Sequence, residues 1–188
     1  MSALRNSLLG GLAALALGSA MMGADTATAA TAATAATAAT AATAHNAPLA
    51  AKATAFEIRN THNLKCLEIA NSSKSNGARA QQWTCKEQAG AAWTLRHVKG
   101  IYYIVNARSG KCLEIANSSE SNGARAQQWT CKGQAGAKWR LVLDRHGNWQ
   151  IVNNHSGKCL EIANSSKSNG ARAQQWTCKE QAGSQWMW

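Results

Sequence analysis

Residues 56–188 are built from short alternations of apolar and polar positions, with no apolar repeat of 3.6 residues. In 65–70 (KCLEIA), Leu67 and Ile69 fall on one face and Cys66 and Glu68 on the other, which predicts a half-buried strand. Residues 71–77 (NSSKSNG) have loop chemistry and close on an Asn-Gly step. Residues 78–85 alternate again, with Arg79, Gln81, Trp83 and Cys85 on one face. An aromatic-led run, 56–60 (FEIRN), precedes these elements, and a Gly-containing turn leading to Trp93 follows. The pattern predicts about four short strands in some 47 residues.

That unit occurs three times. Residues 65–90 and 158–183 are identical over 26 positions. The copy at 111–136 differs from them twice, with Glu120 in place of Lys and Gly133 in place of Glu. The first cysteines, Cys66, Cys112 and Cys159, set a period of 46 and then 47. Aromatic-led strands recur at 102–106 (YYIVN) and 149–153 (WQIVN), and each unit ends in a tryptophan: Trp93, Trp139 or Trp186. Three equal all-β units of this size, at about 56–100, 101–148 and 149–188, suit a closed barrel with pseudo-threefold symmetry. Closure removes the unpaired edge strands that an open array would expose.

The N-terminus has a different character. Arg5 precedes an apolar, small-residue run over 8–22, and Ala27-Thr28-Ala29 forms an A-x-A exit, so residues 1–29 are expected to be a secretory signal peptide. Residues 30–55 are dominated by Thr-Ala-Ala repeats. They offer almost no large apolar group to offset ordering entropy and are expected to form a disordered spacer. No apolar run outside the N-terminus is long enough to span a bilayer. The domain carries 18 Lys and Arg against 8 Asp and Glu, a net +10.

All six cysteines lie in the repeats, one pair of separation 19 in each: Cys66–Cys85, Cys112–Cys131 and Cys159–Cys178. Six cysteines allow 15 connectivities. Threefold repetition and an exported chain favour the pairing within each unit, worth roughly 3 kcal/mol per bridge in the chain-entropy model. Zinc sites generally use closer Cys spacings with His, so no metal is expected. If Cys66 faced Cys85 across an antiparallel pair, Glu68 would lie opposite Trp83, and Ala70 opposite Gln81.

A carboxylate, an amide and an indole would then share a face, followed in sequence by Lys86. The same set recurs as Glu114, Gln127, Trp129 and Lys132, and as Glu161, Gln174, Trp176 and Lys179. The apolar C–H face of a pyranose stacks on an indole, while its hydroxyls pair with short polar groups at the rim. A purely structural reading stands beside this one. In it, Trp83 covers the disulfide and Glu68 pairs with Lys86 or Arg79 at the surface.

The unit SGKCLEI…NGARAQQWTCK…W, in three copies behind a leader, resembles the ricin B-chain type lectin domain, the family 13 carbohydrate-binding module. The resemblance covers residues 56–188. It implies a β-trefoil, a six-stranded barrel capped by three hairpins, that binds galactose-type or xylan-type sugars weakly at each site and needs no cofactor. It places the sugar-binding acid two residues after the first Cys, at Glu68, Glu114 and Glu161, where the family usually has Asp. It places the stacking aromatic at Trp83, Trp129 and Trp176. Gln81, Gln127 and Gln174 match a residue of the same strand, and Lys86, Lys132 and Lys179 match a polar contact of some members. The family usually ends each unit Asn-Gln-x-Trp, and its Asn helps to hold the acid and the sugar. Here that Asn is Gly90, Gly136 and Gly183, which puts the galactose site in question.

Other functions fit less well. A Ser-His-Asp set could be drawn from Asp144, His62, His97, His146 and His155, but no nucleophile elbow accompanies it, so an enzyme is not expected. Inhibitory trefoils use one unique loop, whereas the loops here are repeated. Arg79, Arg125 and Arg172 share the face of the Gln and Trp residues. They support an alternative in which a basic module binds acidic polymers (uronic glycans, teichoic acid or nucleic acid) by charge. The expectation is a secreted, extracellular, monomeric and non-catalytic carbohydrate-binding domain.

Overall fold

The computed structural model describes residues 54–188. The expected leader, and the spacer apart from Thr54 and Ala55, lie outside the described residues. Thirteen short strands form the fold of the described residues. The first aromatic-led run is split at Ile58 into β1 (Phe56–Glu57) and β2 (Arg59–Asn60). The first repeat continues with β3 (Cys66–Ile69), β4 (Ala80–Trp83) and β5 (Ala92–Val98). The second holds β6 (Ile101–Asn106), β7 (Cys112–Ile115), β8 (Ala126–Trp129) and β9 (Trp139–Leu143). The third holds β10 (Trp149–Asn153), β11 (Cys159–Ile162), β12 (Ala173–Trp176) and β13 (Trp186–Met187).

Antiparallel pairing runs β1–β5–β6–β9–β10–β13–β2. Because β1 and β2 are consecutive pieces of one strand, this path closes a six-stranded barrel. Each of β2, β6 and β10 also pairs with the start of a hairpin: β3–β4, β7–β8 or β11–β12. Single bridges join the three hairpins to one another, Arg79 to Gln127, Arg125 to Gln174 and Arg172 to Gln81. The result is a β-trefoil: a barrel capped by a hairpin triplet.

The core follows from the alternation. Leu67, Ile69 and Ala80, with their counterparts in the other repeats, point inward and are fully buried. Trp93, Trp139 and Trp186 are also fully buried, and each indole Nε1 donates to a strand carbonyl, Leu67, Leu113 or Leu160. A buried tryptophan thus adds its large apolar area without leaving an unpaired donor. Asn106 and Asn153, at the ends of β6 and β10, are buried and donate to the carbonyls of Gly90 and Gly136. Asn60 does the same for Gly183. Each repeat is therefore tied to the terminal turn of its neighbour.

The disulfides are Cys66–Cys85, Cys112–Cys131 and Cys159–Cys178, with Cα atoms 5.1–5.2 Å apart. The register differs from the one inferred from them. Cys66 lies opposite Trp83, and Glu68 opposite Gln81, two positions from the expected pairing. The ladder ends at Trp83, so Cys85 lies beyond the strand and reaches Cys66 across its end. The second strand is accordingly shorter than 78–85.

Candidate functional site

Glu68 sits in β3 with its side chain on the face away from Leu67 and Ile69. It is only 5% exposed. A buried carboxylate needs donors on its oxygens. Gln81, its cross-strand partner, donates Nε2 to Oε1 at 2.8 Å. Gln88 donates Nε2 to Oε2, also at 2.8 Å. The other repeats reproduce the clamp with Gln127 and Gln134 on Glu114, and with Gln174 and Gln181 on Glu161. Neither Lys86 nor Arg79 lies within salt-bridge distance of Glu68 among the described residues. The surface ion pair considered from sequence is therefore replaced by two neutral carboxamides. The Oε1 atoms of Gln81, Gln127 and Gln174 are buried without a protein partner, so these amides orient the acid rather than face solvent.

Trp83, Trp129 and Trp176 end their strands and stand out from the surface at 39, 38 and 40% exposure. Together with the acid, the two glutamines and Lys86, Trp83 lines a shallow cleft of about 210 Å³. Equivalent clefts of about 220 and 290 Å³ surround Trp129 with Lys132 and Trp176 with Lys179. All four residue types expected from sequence are thus brought together in each repeat. The clefts lie just below the small end of the usual range of ligand pockets.

Three contributions come from residues that the sequence pattern did not single out. The first is the second glutamine. The backbone N–H of Lys86 donates to Gln88 Oε1 at 2.7 Å, which holds the carboxamide toward Glu68. The second is the turn after the acid. Asn71 and Ser72 take left-handed backbone angles (φ 55° and 48°), and Ser72 Oγ accepts from Gly90 N at 2.8 Å. The third is a rim from the preceding repeat. Gln128, beside Trp129, donates Nε2 to the carbonyls of Ser73 and Ser75 in the first repeat. Thr130 N donates to Asn76 Oδ1 at 3.0 Å, and the Gly77 turn packs against the Trp129 ring. The loop at 166–170 does the same for Trp83, and the loop at 119–123 for Trp176.

The glycine at the family's Asn position also has a physical cause. A Cβ at Gly90, Gly136 or Gly183 would lie 2.5 Å from the carbonyl oxygen of Ile69, Ile115 or Ile162. No side chain fits there, and the acid-holding task lies with Gln88, Gln134 and Gln181 instead.

A family model described as ricin-type beta-trefoil lectin domain-like matches residues 45–129, 89–176 and 135–188. Among solved structures, the designed three-fold symmetric protein ThreeFoil is similar over 70% of this chain and 95% of its own, with 33% identity and a TM-score of 0.68. An exo-beta-1,3-galactanase from Clostridium thermocellum is similar at 27% identity and a TM-score of 0.69. That match covers 72% of this chain and only 30% of the galactanase. The Macrolepiota procera ricin B-like lectin, solved in complex with lactose, shares the fold at 14% identity and a TM-score of 0.63, over 72% of this chain and 94% of its own. No curated protein sequence matches the chain.

Proposed function

This chain belongs to the ricin-type β-trefoil lectin-like family, and from that premise we propose that it is a secreted, monomeric, non-catalytic protein that binds neutral sugar rings of galactose or xylan type at three equivalent clefts. The observation that carries this reading is the threefold recurrence of an exposed indole beside a carboxylate held by two amides. The indole offers the flat apolar surface, and the carboxylate offers acceptors whose direction is set before a ligand arrives. Each Glu oxygen accepts one protein hydrogen bond and keeps a lone pair for a sugar hydroxyl. Lys86, Lys132 and Lys179 supply a donor at the open side.

A single cleft of this size supports affinity near millimolar, about 4 kcal/mol. Three clefts on one polymeric ligand raise retention through effective concentration. Three disulfides support an oxidising destination, and no described helix is long and apolar enough to cross a membrane. On this reading residues 1–29 direct export, 30–55 act as a spacer and 56–188 bind.

A second reading draws on the charge. Arg79, Arg125 and Arg172 are exposed and stand at the bridges that join the three hairpins. An acidic polymer held only by such cations would be released by salt. The deciding experiment is a retention screen of the full chain on neutral and acidic polysaccharides at low and high salt. Retention that survives salt and is competed by a simple neutral sugar supports the sugar reading. Retention confined to low salt, with no competition by neutral sugars, replaces it with the second.

A further inference from the structure

The near-identity of the three copies hides an electrostatic difference. Only two positions distinguish the second copy over its 26 residues, Glu120 and Gly133, and both are charge changes. Because each cleft takes its rim from the preceding repeat, these changes fall on different clefts. Glu120 belongs to the loop that packs on Trp176, in the third cleft. Gly133 follows Lys132 in the second cleft.

Charged positions can therefore be assigned cleft by cleft. The first cleft has Lys86 and Glu87 of its own, Lys167 on its rim, and Arg108, whose Nε donates to the carbonyl of the lining residue Ser72 at 2.9 Å, a net of +2. The second has Lys132 with Gly133, and Lys74 on its rim, a net of +2. The third has Lys179 and Glu180, with Glu120 on its rim, a net of −1. All of these side chains are exposed.

Neighbouring groups reduce the contrast without cancelling it. Arg145 pairs with Glu180 at 3.1 Å, and His155 with Glu120 at 3.0 Å. A further cation, Arg96, stands on Tyr103 outside the lining of the second cleft. The Tyr103 hydroxyl lies 3.9 Å from where a Cβ on Gly133 would stand, and the Arg96 guanidinium stacks over the Tyr103 ring at 4.8 Å.

We infer that the three clefts, alike in shape, are graded in charge, and that the first and second favour an anionic saccharide whereas the third does not. This rests on the sugar-binding reading and adds to it the ligand class of two clefts. Exposed charges act weakly one by one, each changing affinity about two- to threefold. The first and second clefts each exceed the third by three such charges, and the Arg145–Glu180 pair offsets one of them. The preference for an anionic over a matched neutral sugar should therefore differ between them and the third by about fivefold at low salt. It should largely vanish in 1 M salt, where the screening length is about 3 Å.

The test uses three full-length chains, each keeping one of Trp83, Trp129 and Trp176 with the other two changed to Ala. Each is titrated calorimetrically with two matched pairs: a methyl galactoside and its galacturonic-acid counterpart, and xylotriose with and without a glucuronic acid branch. The chains keeping Trp83 and Trp129 are expected to show higher anionic-to-neutral affinity ratios than the chain keeping Trp176. Two swaps that sister repeats already carry then move the ratios. Gly133→Glu should lower the ratio of the Trp129 chain, and Glu120→Lys should raise that of the Trp176 chain. Both swaps have precedent in the sister repeats: Lys74 and Lys167 stand at the position of Glu120, and Glu87 and Glu180 hold the left-handed backbone of the Gly133 position at φ 56°. Equal ratios in all three chains, or ratios unmoved by both swaps, overturn the charge grading while leaving the sugar reading intact. If no folded single-cleft chain binds any of the four saccharides, the sugar reading itself falls, and the grading with it.

Discussion

Replacing Gln88 with Leu tests the clamp on Glu68 most directly. The substitution keeps a side chain of similar reach but removes the 2.8 Å bond to Glu68 Oε2. It also removes a 3.1 Å bond to the Thr84 carbonyl and the 2.7 Å acceptor for Lys86 N. The bond to a charged oxygen counts for about 1.5–3 kcal/mol, because Glu68 is buried and would be left with one donor. The Lys86 amide is exposed and finds water, so its loss adds little. With partial compensation from the added apolar surface, the net cost is about 2 kcal/mol. For a domain of this size that is a fall in Tm of roughly 8 °C. Binding should suffer separately, because a carboxylate held on one side turns away from its productive direction. An affinity loss of about tenfold at that cleft follows, equivalent to about 1.4 kcal/mol. The assay is calorimetric titration well below Tm, in a chain where Trp129→Ala and Trp176→Ala leave only the first cleft. Unchanged affinity in a folded Gln88→Leu chain would refute the role of the clamp in binding, whatever its effect on Tm.

Changing Trp83, Trp129 and Trp176 together to Ala should abolish retention on polysaccharide while the disulfide-bonded fold survives with a lowered Tm, since each tryptophan is about two-fifths exposed and outside the core; affinity electrophoresis beside a melting curve checks both parts. Restoring the family's asparagine by Gly136→Asn should destabilise the domain by about 2–3 kcal/mol, because the new Cβ would meet the Ile115 carbonyl at 2.5 Å; a denaturant midpoint equal to wild type contradicts this. For Asp144, burial pushes the carboxyl pKa up, but hydrogen bonds from the Asn148 and His146 N–H groups, with help from the Asn148 side chain and the His146 charge, hold it below the ordinary value. Its contribution to stability is thus complete at neutral pH and is lost as pH falls through that lowered value. Asp144→Asn should flatten the acid limb of the Tm-against-pH curve, and an unchanged limb would dismiss the turn as its source.

The fold was legible because repetition and alternation agree. Leu67, Ile69 and their counterparts read as one inward face, and three equal units at a period of 46 and 47 residues suit a closed threefold form better than an open array. The pairing of Cys66 with Cys85 was equally readable, but it misled on register. A disulfide limits the distance between two residues without requiring that they face each other in a ladder, and Cys85 lies past the strand end. Gln88 could have been found, since Gln134 is retained beside the changed Gly133, so the middle copy varies around it. Its partner, however, is 20 residues away and depends on a turn whose shape the sequence does not display. The rim loops were beyond reach for a stronger reason. Their contacts join residues 53–56 or 84–86 positions apart, between repeats whose relative placement exists only after the barrel closes.

This exchange of rims sets a minimum size for the recognition unit. An isolated copy of 46 or 47 residues owns a tryptophan but not the loop that supports it, so no ancestor with one copy per chain could have presented a finished cleft by itself. Such a chain would gain all three at once on associating as a trimer, and its binding would rise with roughly the third power of its concentration. Fusing three copies into one polypeptide removes that dependence on dilution. It also frees the copies to diverge, and Glu120 and Gly133 are such departures within the repeated core.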